Sequence, residues 1–221
     1  VGDERSTAVS EITPLACRAD RLAEEGDALV AAALAATGVD DAKVQAAWVV
    51  GGYTWLLAEP ALTLFMREGR VLDLRPARVT VAVGPDGAHE ARFEEPPPPE
   101  PDRGAARARL VAALEENLAA VLALPRLGAI GARLRWTLAA DMLAGAALHV
   151  GHPILGREAT IREAEALCAV PGRLRLPLDL IPGADPDQHP QRRRASCCLA
   201  HRVGHDLCPT CPRRRLRGVG G

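Results

Sequence analysis

The sequence predicts a mainly α-helical chain with a small β-hairpin or sheet, an α+β protein whose helical body ends in a C-terminal cysteine-rich arm. Three observations lead there. Hydrophobic residues make up 48 % of the 221 positions but aromatics only 3 %, so the core must be built from Ala, Leu and Val. Segments rich in Ala and Leu favour helix. One pair of short segments, Val79–Val83 and 88–93, flanks Gly84-Pro85-Asp86-Gly87, a composition suited to a hairpin turn. Four of the six cysteines fall within fifteen residues near the C-terminus. The length allows one large core, with or without a small appendage.

Thr13-Pro14 reads as a helix start, with a capping hydroxyl followed by Pro at the first helical position, and Gly38 closes that helix after Thr37. Asp40-Asp41 open a second helix carrying Val44, Ala47, Trp48 and Val49, which Gly51-Gly52 interrupt or bend. Pro60 starts a further short helix that ends at Gly69. The run Pro96-Pro97-Pro98-Pro99 with its flanking acids is a stiff surface connector. Residues 105–124 form an amphipathic helix with Leu110, Leu114, Leu118 and Val121 on one side, stopped by Pro125. Residues 129–150 form another, ended by Gly151-His152-Pro153, and Arg157–Ala169 a shorter one. Residues 174–181 contain Pro177 and read as an edge strand or extended segment, and 185–190 as loop. The chain thus divides into N-terminal helices plus hairpin (1–94), a Pro-rich linker (95–103), a central helical region (104–190) and the cysteine arm (191–221).

The net charge of −1 says little, but its distribution says more. Residues 191–221 carry eight arginines against one acid, Asp206, while the other 190 residues carry 19 basic and 27 acidic side chains. Lys43 is the sole lysine, so arginine excess is a general habit of this chain. The first residues are polar and acidic, unlike a signal peptide. The two most apolar stretches, 44–66 and 129–150, are broken by Glu59-Pro60 and by Arg133, Arg135 and Asp141, so the reading is a cytoplasmic protein without stable membrane insertion. No phosphate-binding glycine loop is present. Cys17 and Cys168 sit alone in apolar patterns and read as buried small hydrophobes. A secreted disulfide scaffold would spread its cysteines, so one tight cluster points to a metal site in a reducing compartment.

That cluster reads Arg192-Arg193-Arg194-Ala195-Ser196-Cys197-Cys198, nine residues, then Cys208-Pro209-Thr210-Cys211 and Pro212-Arg213-Arg214-Arg215. Two intervening residues let Cys208 and Cys211 face one metal through a tight turn, which Pro209 suits. Adjacent side chains of an extended strand point to opposite faces. The backbone at Cys197-Cys198 must therefore be irregular, or the pair must serve two metal ions. A [2Fe-2S] cluster takes four thiolates and offers two irons. Its negative charge grows by one on reduction, and the flanking Arg192, Arg193, Arg194, Arg213, Arg214 and Arg215 are candidate docking or tuning residues. Spacing alone fits a structural zinc site equally, with four cysteines or with His201 or His205 among the ligands. A basic zinc module would imply a structural or nucleic-acid-binding role, but the arm lacks aromatics for base stacking. His205 is also a candidate hydrogen-bond donor to a cluster sulfur.

The Cys-Cys, loop, Cys-x-x-Cys ending after an Arg-rich lead-in resembles the FhuF family of siderophore-iron reductases. The stretches from Gln45 to Leu74 and from Leu118 to Ala147, with Arg133-Leu134-Arg135-Trp136, are similar to its N-terminal and central helices. The resemblance implies that Cys197, Cys198, Cys208 and Cys211 hold a [2Fe-2S] cluster and that the substrate is a ferric siderophore. It implies ferric reductase activity by one-electron transfer. With no nicotinamide or flavin signature, electrons are expected from a separate donor, a ferredoxin-like protein or reductase. Trp48, Trp55 and Trp136 are candidates to line a chelate groove, although core packing is the ordinary role of such residues. The chain departs from the family in having nine rather than ten residues between the cysteine pairs, and in Thr137-Leu138 where a Gly-Asn pair often follows the central Trp.

Overall fold

The computed structural model describes residues 15–84, 89–94, 98–181 and 189–214. Five helices pack around one apolar core: α1 (Asp27–Ala36), α2 (Ala42–Glu68), α3 (Arg103–Leu122), α4 (Ala132–Leu155) and α5 (Arg157–Ala169). Three strands, β1 (Leu15–Arg18), β2 (Val79–Val83) and β3 (His89–Phe93), form an antiparallel sheet in the order β1-β2-β3. The α+β expectation holds, with Ala, Leu and Val supplying most of the core. The turn residues Pro85 to Ala88 lie outside the described residues, as do Thr13-Pro14, 95–97 and 182–188. The hairpin strands pair as expected, with Val81 opposite Ala91. Val79, Val81 and Val83 of the central strand are buried.

Three local expectations are corrected. No helix runs through 15–18: this segment is β1, with Cys17 opposite Val81, a single 3₁₀ turn follows at Ala19–Arg21, and α-helix begins only after Gly26. A partner distant in sequence supplies the hydrogen bonds that decide this, and periodicity cannot see it. Second, α2 is continuous from Ala42 to Glu68, through Gly51-Gly52 and Pro60. An interior Pro costs a helix about 3 kcal/mol, but Leu57, Ala58, Ala61, Leu62 and Phe65 around it are fully buried. Their burial outweighs that cost, at about 25 cal/mol per Å² of apolar surface. Gly51 lets α4 come close: a β-carbon there would already touch Met142 Cγ at 3.7 Å. Third, α4 runs through Gly151 and Pro153 to Leu155. Gly151 is the closest meeting point of α2, α4 and α5. A β-carbon there would lie 2.7 Å from Thr160 Cγ2 and 3.1 Å from Met66 Sδ.

Caps and polar ties set the ends. Asp41 caps α2, its Oδ1 accepting from the Lys43 and Val44 amides at 2.9 and 3.1 Å, and Gly69 closes the helix with φ of 68°. Glu163 of α5 accepts from Arg103 Nε and Arg107 Nε of α3 at 2.9 and 2.8 Å. Burial pushes this carboxyl up, but the two guanidinium bonds outweigh it and hold it below the ordinary range. By length and composition α2 and α4 would both suffice to cross a membrane, but 50 % and 61 % of their most apolar windows are buried within the fold. Residues 174–181 are extended, with an isolated antiparallel bridge between Leu180 and Arg192.

Candidate metal centre

The arm joins the body as an added edge. The Ile181 amide donates to the Gln191 carbonyl at 2.9 Å and the Arg193 amide to the Asp179 carbonyl at 2.7 Å. This pairing turns Arg192 inward, where only 4 % of it is exposed. There its Nη1 meets Asp141 Oδ1 of α4 at 2.5 Å. The same carboxylate accepts from the Ala195 amide at 2.9 Å, the Ser196 amide at 2.7 Å and the Ser196 hydroxyl. Four donors thus close on one buried carboxylate, the arrangement a buried charge requires. Among the described residues Arg192 Nε finds no partner.

Directly after this clamp come Cys197 and Cys198. Just past the adjacent pair the backbone reverses: Leu199 has φ of 65° and ψ of 3°, left-handed for a residue with a β-carbon. The reversal brings the Leu199 amide to 3.4 Å from Cys197 Sγ. A short 3₁₀ turn, Ala200–Val203, follows. Trp48 Nε1 of α2 donates to the Cys198 carbonyl at 3.1 Å, and Arg202 Nε donates to Asp41 Oδ2 at 2.8 Å. The arm is therefore held to α4 at one end and to the start of α2 at the other.

The second cysteine pair forms the expected tight turn, the Cys211 amide donating to the Cys208 carbonyl at 3.0 Å. The Arg194 amide, bonded to the Thr210 carbonyl at 2.9 Å, ties this turn to the lead-in. Arg214 caps the turn through the carbonyls of Leu207 and Cys208, at 2.7 and 2.9 Å. Cys211 is buried, and its Sγ stands 4.0 Å from Cys197 Sγ. Cys197, Cys198 and Cys208 are half-buried, and all six cysteines of the chain are free. Burial pushes the Cys197 thiol up, the Leu199 amide opposes that, and the adjacent Cys211 and Cys198 thiols add to the rise. Among the described residues no three His, Cys, Asp or Glu side chains gather around one point.

The arginines divide by role. Arg192 is locked inward, so its guanidinium does not face a partner in solution. Arg194 is half-buried and lines an open cleft of about 270 Å³ with Asp141, Met142, Pro209 and Thr210. Arg213 and Arg214 are exposed, and Arg193 is half-buried. Arg215 lies outside the described residues. Arg213 Nη1 is 2.5 Å from His201 Nε2, and His201 Nδ1 is 3.6 Å from Cys197 Sγ. His205 packs beside Trp48 instead, ring centroids 5.9 Å apart. The histidine at the thiol is thus His201, not His205. Trp48 also borders an apolar cavity of about 280 Å³ with Leu29, Val30, Tyr53, Leu56 and Val81, a lining unsuited to a polar chelate. Trp55 bonds Glu59 at 2.9 Å, and Trp136 lies under the Arg173 guanidinium at 5.0 Å.

Residues 194–213 match the family model of the FhuF 2Fe-2S C-terminal domain. Over this stretch the arm is similar to that domain. Its cofactor is a [2Fe-2S] cluster. Comparison with curated proteins and with solved structures finds no match. The residues of the arm fit that group by their chemistry: four thiols lie within fifteen residues, the Cys197 and Cys211 sulfurs stand 4.0 Å apart, and an amide and an imidazole approach the Cys197 sulfur. Sequence reasoning missed the residues that seat the arm, namely Asp141, Ser196 and Asp41. A lone acid in an apolar helical stretch was the available signal for Asp141, since a buried carboxylate needs donors.

Proposed function

We propose that this chain reduces ferric iron held in a siderophore, so that the metal leaves the chelate as ferrous iron. The FhuF 2Fe-2S match on a docked, cysteine-bearing terminal arm carries this reading. Cys197, Cys198, Cys208 and Cys211 would hold the cluster, which when bound supplies a one-electron carrier. Ferric iron is a small hard trication gripped by hydroxamate or catecholate oxygens. One added electron lowers its charge and loosens those bonds, leaving the chelator intact.

The protein's part is placement. The Asp141 clamp, the Trp48 bond to the Cys198 carbonyl and the Arg202–Asp41 pair tie the cysteine-bearing segment to the helical body. Arg194 in its cleft and the exposed Arg213 and Arg214 favour an approaching anionic chelate or an acidic donor protein. Electrons come from a separate ferredoxin-like protein or reductase, and the reaction belongs to the cytoplasm.

Anaerobically purified protein should be red-brown, contain iron and acid-labile sulfide in equal amounts, and bleach with dithionite. Cys208→Ser should lose the cluster and slow ferrous-iron release from a ferric siderophore. A colourless protein holding one zinc, or an unchanged release rate in the variant, would refute the reading.

A further inference from the structure

We infer that His201, oriented by Arg213, is a positioning residue that donates a hydrogen bond from Nδ1 to the Cys197 sulfur and favours the reduced form of the cluster. This rests on the cluster assignment above. The argument starts from what each group can do. A guanidinium has five N–H donors and no acceptor. With Arg213 Nη1 2.5 Å from His201 Nε2, that ring nitrogen must present its lone pair. The ring proton then lies on Nδ1. That nitrogen faces Cys197 Sγ at 3.6 Å, a hydrogen-bonding distance for the larger sulfur atom. The requirement from the other side agrees, because a metal-bound thiolate accepts and cannot donate. Arg213, His201 and Cys197 therefore form a chain in which each polarity is fixed by its neighbour.

The turn that builds this contact is local. His201 is four residues after Cys197, and the left-handed Leu199 folds the 3₁₀ turn back over the sulfur. The same reversal delivers the Leu199 amide, so one thiolate receives two donors from one turn. Hydrogen bonds to cluster sulfurs and nearby positive charge both stabilise the more negative, reduced state and so set the potential. His201 is half-buried and Arg213 exposed, so solvent screens the cation more than the imidazole bond. The larger effect thus belongs to His201.

The test is a redox titration at fixed pH, followed by visible absorption and by EPR of the reduced state. His201→Ala should shift the reduced-to-oxidised ratio about tenfold toward oxidised at a given potential, a fall of about 59 mV for one electron. Arg213→Ala should give a smaller fall in the same direction. His201→Gln, whose amide can donate, should recover part of the loss. Unchanged potential in His201→Ala with full iron and sulfide content overturns the inference and leaves the cluster reading standing. Wild-type protein without iron and sulfide overturns the cluster reading itself. Should both His201 variants lose the cluster, proton ENDOR of the wild type in H₂O and D₂O decides. An exchangeable proton coupled to the cluster and assignable to labelled His201 supports the bond, and its absence refutes it.

Discussion

Replacing Asp141 by Asn should release the arm without unfolding the body. The carboxylate is fully buried and faces a buried guanidinium. Asn keeps one acceptor oxygen but turns an NH₂ toward the remaining donors. Arg192 would then stay buried with its charge unpaired, and breaking a buried pair from one side costs about 3–5 kcal/mol. The bonds lost join 192–196 to α4, so most of that loss falls on arm docking rather than on the helical core. At 1.4 kcal/mol per tenfold, opening of the arm should become roughly 150-fold to several thousandfold more frequent. The assay is hydrogen exchange by mass spectrometry on peptides containing Ala195 and Ser196, whose amides donate to this carboxylate. Exchange there should accelerate by at least about a hundredfold, while peptides from α3 and α5 stay protected. The double variant Asp141→Asn/Arg192→Gln should recover part of the protection, because it removes the stranded charge. Exchange within threefold of wild type in the single variant would refute the clamp.

Gly151→Ala should lower stability by about 1–3 kcal/mol through overpacking, because its β-carbon would meet Thr160 and Met66. Denaturant unfolding measures this, and an unchanged midpoint would contradict the close approach. Glu163→Gln should cost about 1–2 kcal/mol at pH 7, discounted for the partial exposure of Arg103. The folded carboxyl is depressed, so this stabilisation is present above its unfolded value near 4.3. It is lost as pH falls through the folded value, and the Tm gap between wild type and variant should close over that range. Cys168 is buried, and burial pushes its thiol up to about 11. At pH 8 it should alkylate roughly two to three orders of magnitude more slowly in the folded protein than in urea. Equal rates would show that the face of α5 carrying Cys168 is not packed into the fold.

Where a helix or strand is set by its own residues, the sequence showed it. The apolar side of α3 with Leu110, Leu114, Leu118 and Val121, the span of α5 and the pairing of β2 with β3 were all legible. The continuity of α2 through Pro60 was not, because the apolar side chains around the proline stabilise the helix only once neighbouring elements bury them. β1 was hidden for a related reason, since four residues beside Thr13-Pro14 carry no periodicity and only pairing with β2 makes them a strand. At the arm, a metal site was visible in the spacing of Cys197, Cys198, Cys208 and Cys211, while the resemblance and not the spacing favoured iron–sulfur over zinc. What spacing could not reveal was the seat. Asp141 lies more than fifty residues before the segment it holds, and Arg192 looked like a surface cation until the Leu180 bridge turned it inward.

Asp41 uses its two oxygens for different masters, one for the opening amides of a 27-residue rod and the other for an arginine 161 positions downstream. Fraying at the head of the rod and lifting of the tail are therefore not independent events. Whatever loosens one withdraws a partner from the other, so a drop in helicity at α2 and a drop in iron content should rise and fall together across substitutions at this position. A chain still being synthesised meets the same linkage: the first turn of α2 emerges well before the arm, and it gains its second anchor only once Arg202 has appeared.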